Sequence, residues 1–203
     1  MKLICIGRNY ADHIEELKNE RPDDPVVFIK PDSAILPKDQ DFYIPEFTDE
    51  VHYEVEVLLK IKKVGKHIAR KFAHEYYDEI GLGIDFTARD LQAQLKGKGL
   101  PWEKAKGFDG AAVIGKWLPK SNFKDVNALQ FSLSKNGEEV QNGNTGMMLW
   151  QIDELVTYVS KYFMLKKGDI LFTGTPSGVG KIVTNDYLTG VLEGEKMFAV
   201  KVK

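Results

Sequence analysis

The sequence has a single cysteine, no long apolar run and no excess of charge of either sign. Cys5 has no partner for an intrachain disulfide, so we expect a reducing, cytoplasmic environment. The apolar runs are far shorter than the roughly 20 residues that span a membrane, and the start at 1–7 lacks the features of a signal peptide. The 28 basic and 30 acidic residues are mixed along the chain, which argues against nucleic-acid binding. These absences predict a soluble globular protein.

The sequence does contain enough apolar residues for a substantial core, since 43% of its 203 residues are hydrophobic. No repeat or linker divides it, so we expect one domain over 1–203. Clusters of β-branched and aromatic residues predict strands at 2–6, 26–30, 51–61, 80–86, 111–115, 128–135, 169–173 and 196–202. Helical spacing of apolar residues predicts helices at 10–20, 68–78, 88–96 and 151–163. Because helices and strands do not alternate regularly, we expect a strand-rich α+β fold with a rolled or sandwiched sheet.

Two carboxylates stand out in the strand predicted over 51–61. Its first residues alternate apolar and polar side chains, so Glu54 and Glu56 share one face. At this spacing their oxygens can converge on one cation, and a divalent ion would relieve their repulsion. The alternative is an ordinary amphipathic strand with its polar face in water. This segment by itself favours that alternative.

A third carboxylate, Asp85, changes this balance. It lies near the end of an apolar strand, between Ile84 and Phe86, where a buried aspartate requires a partner. One possibility is a metal shared with the two glutamates, since three oxygen ligands leave positions open for water and substrate, as Mg²⁺ favours. The other is a helix N-cap, although Thr87 lies nearer to the helix predicted at 88–96.

Six motifs occur in one order along nearly the whole chain. They are Gly7-Arg8-Asn9-Tyr10-Ala11-Asp12-His13, Phe28-Ile29-Lys30-Pro31, Tyr53-Glu54-Val55-Glu56, Asp85-Phe86-Thr87-Ala88-Arg89-Asp90, Lys98-Gly99-Leu100-Pro101-Trp102 and Gly168-Asp169-Ile170-Leu171-Phe172-Thr173-Gly174-Thr175-Pro176. In this order they resemble the fumarylacetoacetate hydrolase family, and most closely its short acylpyruvase and oxaloacetate decarboxylase branch.

The resemblance implies a mixed β-sandwich roll that forms a homodimer and acts on a small α-keto acid. It implies that Glu54, Glu56 and Asp85 hold a Mg²⁺ ion, for which Mn²⁺ is an equally suitable substitute on oxygen ligands. It also implies a water-activating pair, His13 and Glu16, on a segment that closes over the site. The i, i+3 spacing of this pair is compatible with a carboxylate that orients an imidazole, although without the resemblance a solvated surface pair is the simpler interpretation.

The remaining roles also follow from the resemblance. Lys106 is similar to the family's catalytic lysine. Positions in or near the substrate pocket are matched by Arg8, Tyr10, Lys30, Arg89, Gln92 and Thr175. For most of these residues, ordinary surface charge is the alternative explanation.

The expected chemistry is breakage of a bond next to a carbonyl, with the metal ion stabilising the enolate. If the lid pair delivers water, an acylpyruvate is hydrolysed to pyruvate and a carboxylic acid, which is our first choice because His13 and Glu16 are both present. The alternatives on the same site are decarboxylation of oxaloacetate and tautomerisation or isomerisation of a keto acid. A non-catalytic metal-binding scaffold is the alternative from another class of protein.

Overall fold

The computed structural model describes residues 1–18 and 20–203, and strands predominate in them. The strands are β1 (Lys2–Gly7), β2 (Val26–Pro31), β3 (Val51–Tyr53), β4 (Val55–Ile61), β5 (Tyr77–Asp85), β6 (Thr87–Ala88), β7 (Ala112–Pro119), β8 (Gln130–Lys135), β9 (Glu138–Asn144), β10 (Ile170–Phe172), β11 (Gly180–Lys181), β12 (Tyr187–Leu192) and β13 (Glu195–Lys201). The helices are α1 (Ala11–Glu16), α2 (Arg70–Ala73), α3 (Arg89–Gly97), α4 (Glu103–Lys106) and α5 (Ile152–Tyr162). The predicted strand-rich α+β fold class is confirmed.

Three sheets organise these strands. The largest has the order β2-β1-β10-β4-β5-β7, in which only β1 and β10 pair in parallel. A small sheet has the order β11-β3-β6, and a third has the order β13-β12-β8-β9. Strand β3 of the small sheet is followed, after the single residue Glu54, by strand β4 of the largest sheet. These two sheets therefore meet at Glu54.

The central strands β4 and β5 are buried almost throughout, as expected for strands covered on both faces. Gly83 allows β5 to approach β7 closely, because a Cβ at this position would lie 2.2 Å from the carbonyl oxygen of Val113. The pairing of β5 with β7 also shifts register between Gly81 and Gly83. This close packing fixes the part of β5 that leads to Asp85.

The main apolar core lies between the sheets and α5. Along α5 the buried apolar side chains recur at helical spacing, which explains why this helix was predictable from the sequence. They are Ile152, Leu155, Val156 and Val159. Cys5 is buried in a smaller apolar cluster with Leu3 and Phe172.

Several predicted boundaries were wrong. The helix predicted over 68–78 is only the four residues of α2, because the chain from Tyr77 already pairs as β5. The strand predicted over 51–61 is interrupted at Glu54. The helix predicted over 10–20 ends at Glu16 in the described residues, and position 19 lies outside them. Strands β9 and β12 were missed altogether.

No helix within residues 1–18 and 20–203 is long and apolar enough to cross a membrane.

Candidate active site

The three acidic residues meet because of the pairing of β4 with β5. The two strands are antiparallel, with Val55 opposite Ile84 and Glu56 opposite Gly83. At the end of this ladder the amide of Asp85 donates to the carbonyl oxygen of Glu54 over 2.8 Å. This bond places Glu54, just before β4, beside Asp85, at the end of β5.

The carboxylates of Glu54, Glu56 and Asp85 converge, with one oxygen from each within 4.8 Å of the others. All three residues are buried, with exposed fractions of 5%, 2% and 0%. The interpretation of the two glutamates as a water-facing strand surface is therefore wrong. Three buried acidic oxygens in this arrangement are a donor set suited to a hard divalent cation.

Lys106 lies in contact with two of these carboxylates. Its ammonium donates to Glu54 Oε2 over 2.7 Å, to Asp85 Oδ2 over 2.8 Å and to Thr87 Oγ1 over 2.6 Å. Burial alone would lower the pKa of Lys106, but the charges of Asp85 and Glu54 outweigh burial and raise it. Lys106 is consequently a fixed cation beside the carboxylates.

Arg89, at the start of α3, contacts Glu54 from the other side. Its guanidinium also donates to Gln92 Oε1 over 2.7 Å, one helical turn further on. Burial would raise the pKa of Glu54, but the charges of Lys106 and Arg89 overcome that effect and the pKa is lowered. Glu54 therefore stays ionised.

Lys30 forms a buried ion pair with Asp85. Its ammonium is fully buried, lies 2.5 Å from Asp85 Oδ1 and donates to the carbonyl oxygen of Ala111 over 2.8 Å. Lys30 does not line the pocket described below, although the family resemblance implied a position in or near it. The structure thus places Lys30 behind a carboxylate, where it can position that group.

Glu56 differs from its two neighbours in its partners. One of its oxygens accepts from the amide of Gly174 over 2.7 Å, and within residues 1–18 and 20–203 no cationic side chain forms an ion pair with it. Burial, followed by the charges of Asp85 and Glu54, raises the pKa of Glu56 well above its ordinary value. An excess of negative charge at Glu56 is what a bound cation would relieve, so the three residues fit a divalent metal ion.

A small pocket, partly open to solvent, is lined by the three carboxylates. Its wall includes His13 from α1, Thr175 from the turn after β10, and Phe28 and Trp102. The imidazole of His13 is buried, and its Nδ1 lies 3.2 Å from Glu16 Oε2. The other oxygen of Glu16 accepts from the amide of Gly178 over 3.0 Å. Helix α1 is thereby fastened over the pocket.

The contact with Glu16 determines which nitrogen of His13 is available. A carboxylate offers only acceptors, so Nδ1 carries the proton and donates to Glu16, leaving the lone pair of Nε2 for a ligand. Burial lowers the pKa of His13, and this effect exceeds the opposing effects of Glu54 and Glu16. At neutral pH the imidazole is therefore neutral and able to accept a proton.

The wall also carries cations, contributed by Arg8, Arg89 and Lys96. Burial, together with the charges of Arg8 and Arg89, lowers the pKa of Lys96. Arg8 has a positive φ of 58°, at the junction of β1 and α1. The positive charges of these three side chains repel one another. An anion bound in the pocket would reduce that repulsion and be stabilised by the same charges.

The remaining predicted residues lie in different surroundings. Gln92 and Thr175 line the pocket, and their contact with a substrate stays a prediction. Tyr10 instead lies in the core, where its ring packs edge-on against Phe131, and its buried hydroxyl has no hydrogen-bond partner in the described structure. Tyr10 is close enough to the site for the charge of Glu56 to add to burial in raising its pKa.

Two residues of the site were not singled out from the sequence. Asn9 ties the chain before α1 to the rest of the protein, because its amide donates to the carbonyl oxygens of Trp150 and Thr173. Gln141, on β9, contacts the turn that carries Thr175 and the strand that carries the glutamates. Asn9 was visible inside a quoted motif. Gln141 gave no signal, because its strand was itself missed.

Comparison with known proteins agrees with this architecture. Residues 2–201 match the family Fumarylacetoacetate (FAA) hydrolase C-terminal. The chain is 38% identical over 201 residues to oxaloacetate tautomerase FAHD1, mitochondrial, of Mus musculus, covering 99% of this chain and 91% of that protein. It is 40% identical over 182 residues to oxaloacetate decarboxylase, mitochondrial, of Dictyostelium discoideum, covering 89% and 84%. The crystal structure of fumarylpyruvate hydrolase from Pseudomonas aeruginosa in complex with Mn²⁺ and pyruvate superposes with a TM-score of 0.94 at 34% identity, covering 100% and 89%.

Proposed function

Because the chain belongs to the fumarylacetoacetate hydrolase family, we propose that it is a metal-dependent enzyme that interconverts the keto and enol forms of oxaloacetate. Decarboxylation of oxaloacetate is the second candidate, on the same site. Relatives that are 38% and 40% identical carry these two activities in their names. They favour these alternatives over hydrolysis of acylpyruvates, our first choice from the sequence.

The observation that carries the proposal is the pairing of a carboxylate floor with a cationic wall. Glu54, Glu56 and Asp85 line the pocket together with the cationic side chains of Arg8, Arg89 and Lys96. A keto acid with a second carboxylate, such as oxaloacetate, has a charged group for both regions. A monocarboxylate such as acetylpyruvate brings no second carboxylate to interact with these cations.

We propose that Glu54, Glu56 and Asp85 hold Mg²⁺, with Mn²⁺ as a competent substitute. When bound, the ion would polarise the keto group and stabilise negative charge on its oxygen. Lys106 adds a second positive charge beside the carboxylates, and Thr175 and Gln92 contribute polar groups to the wall. Buried, prearranged charges of this kind stabilise an enolate more strongly than water does.

His13 would move the proton. Its Nε2 takes a proton from C3 of oxaloacetate, the C–H electron pair becomes the C2–C3 double bond, and the C2 oxygen becomes the enolate. Protonation of that oxygen by the imidazolium gives the enol and restores neutral His13. In decarboxylation the C3–C4 bond breaks instead, carbon dioxide leaves and no base is required, so the two reactions depend differently on His13.

The direct test follows both reactions in one sample of metal-loaded enzyme. Ultraviolet absorbance reports the enol of oxaloacetate, and coupled reduction of pyruvate reports decarboxylation. We expect tautomerisation to have the largest kcat/KM and acetylpyruvate hydrolysis the smallest, with all activities lost after chelation and restored by Mg²⁺ or Mn²⁺. A larger kcat/KM for acetylpyruvate would refute the proposal in favour of the hydrolase.

A matched pair of variants tests the cationic wall. Lys96→Gln removes a charge from the wall, whereas Lys98→Gln removes one from an exposed position that does not line the pocket. We expect Lys96→Gln to raise KM for oxaloacetate about tenfold, the scale of a lost charged hydrogen bond, and to leave acetylpyruvate unchanged. Equal effects of the two variants would exclude a role for the wall in selecting the substrate.

We also propose that the enzyme is a homodimer. Strands β7 and β13 are the outer strands of their sheets, and together they border a large groove with Leu36. Outer strands have unpaired backbone groups that a second copy can cover. Ala199 is exposed in this groove, so Ala199→Arg should convert the dimer into a monomer in sedimentation equilibrium. A monomeric wild type would refute this assignment.

A further inference from the structure

We propose that Gln141 is a positioning residue that directs the hydroxyl proton of Thr175 into the pocket, where it donates to the carboxylate of the bound keto acid. This inference rests on the proposed function, because it takes Thr175 as a substrate contact. Gln141 lies on β9, is 1% exposed and does not line the pocket. Its effect must therefore pass through other residues.

The orientation of the Gln141 amide is fixed by its partners. Its Oε1 accepts from the amide of Val55 over 2.9 Å, so its nitrogen faces the turn after β10. The nitrogen donates to Thr175 Oγ1 over 2.9 Å and to the carbonyl oxygen of Pro176 over 3.0 Å. Both protons of the amide are then used, and a flipped amide would set its nitrogen against the donor of Val55.

This arrangement determines the direction of the Thr175 hydroxyl. A hydroxyl has one proton and two lone pairs, and Gln141 occupies one lone pair of Thr175. Within the described residues no acceptor receives the hydroxyl proton, and Thr175 lies in the wall of the pocket. The proton is consequently available to a ligand. A carboxylate is the ligand group that accepts most strongly from such a donor.

The turn that carries Thr175 is held closely against β9. Gly178 has a φ of +94°, and a Cβ there would lie 2.2 Å from the carbonyl oxygen of Val140. Only glycine fits so close an approach in this conformation. The same turn receives Glu16 of the lid through the amide of Gly178. The position of Thr175 relative to Gln141 is therefore set by packing on one side and by the lid on the other.

Gln141 also reaches the metal-binding residues. Val55, whose amide it binds, lies between Glu54 and Glu56 at the interruption between β3 and β4. An unpaired amide at this buried position would destabilise the protein. Gln141 therefore contacts both the residue between Glu54 and Glu56 and the hydroxyl of Thr175.

A double-mutant cycle between Gln141 and Thr175 tests the inference. In Gln141→Glu, a carboxylate keeps the acceptor for Val55 but accepts the Thr175 proton, which then points away from the pocket. The readout is the Kd of oxalate measured calorimetrically at saturating Mg²⁺, so it does not depend on turnover. Thr175→Val should weaken oxalate binding about tenfold, and Thr175→Ser, which keeps the hydroxyl, should bind like the wild type.

We expect Gln141→Glu to weaken oxalate binding as much as Thr175→Val does, and the double variant to be no weaker than either single variant. Additive losses would overturn the inference, because a purely structural role would act independently of the hydroxyl. Failure of the wild type to bind oxalate would also overturn it. If Gln141→Glu does not fold, the cycle is run with Gln141→Met, and the part of its loss that disappears in the Thr175→Val background reports the orientation of the hydroxyl; the absence of any such part would overturn the inference. An enzyme that does not turn over oxaloacetate but shows the coupling would refute only the proposed function.

Discussion

The carboxylate floor of the pocket lies on the paired central strands β4 and β5, whereas His13 lies on a six-residue helix at the surface. The floor residues are buried, and ion pairs join Asp85 to Lys30 and both Asp85 and Glu54 to Lys106. Helix α1 has no side-chain cap at its N-terminus, and its polar connection to the opposite wall is the bond from Gly178 to Glu16. From this difference we predict a division of roles, in which the paired strands hold the keto acid and α1 opens and closes with the base.

The largest effect should come from the floor. Asp85→Asn removes the charge of a proposed metal ligand, and with it the ion pairs of Asp85 with Lys30 and Lys106. We expect Mg²⁺ binding and both oxaloacetate reactions to fall below detection, and the metal-free protein to lose about 3–5 kcal/mol of stability, as when a buried ion pair is broken. Calorimetry, assays and urea unfolding measure the three quantities.

Asp169→Asn is the matched control for that prediction. Asp169 is also buried and paired with a lysine, Lys2, but it lies outside the pocket. We expect it to lower stability and leave Mg²⁺ affinity unchanged. If Asp85→Asn binds Mg²⁺ as well as the control does, Asp85 is not a ligand.

The next effect should come from the lid. His13→Ala removes the proposed base and should slow tautomerisation by roughly 10²- to 10⁴-fold. Decarboxylation should fall much less, since it needs no proton acceptor, and the Kd of Mg²⁺ should be unchanged. The neighbouring Asp12→Ala, at an exposed position of the same helix, serves as the control. Equal losses in both reactions would assign His13 to general binding or lid closure.

A smaller effect is expected in hydrogen exchange. With oxalate and Mg²⁺ bound, amides of α1 should exchange more slowly than in the free protein, because the ligand favours the closed helix. Amides of β4 and β5 should remain protected in both states. The side chain of Asn9, just before α1, is bonded to Trp150 and Thr173. Protection of the Asn9 amide should therefore also stay constant. Unchanged exchange in α1 would show that it is not a lid.

The smallest effect concerns pH. The pKa of His13 is already lowered by burial, and the bond to Glu16 opposes that shift. Glu16→Gln removes the opposing charge, so the pKa of His13 should fall further. Since the base is active when neutral, the acid limb of the tautomerase profile should move to lower pH in the variant. A shift to higher pH would contradict the contact between the two residues.

The sequence could predict those parts of the molecule that depend on local pattern. The amphipathic spacing of α5, the apolar strand before Asp85 and the shared face of Glu54 and Glu56 were all visible in it. The contact of Gln141 with Val55 was not, because it spans 86 positions and depends on how two sheets pack. The helix predicted over 68–78 failed for a similar reason, since pairing of Tyr77 with Ile61 outweighed its local helical spacing.

The buried floor has a further consequence for recognition, through its total charge. With its carboxylates ionised, as metal ligands must be, the charges of Glu54, Glu56 and Asp85 equal those of Lys30, Lys106 and Arg89, which surround them. A divalent cation arriving alone would leave two positive charges that these buried side chains do not compensate. A dianion such as oxaloacetate restores neutrality, whereas a monoanion restores half of it. Cation and dianion should therefore each increase affinity for the other by the same factor, and the site would distinguish its ligands by valence as well as by shape.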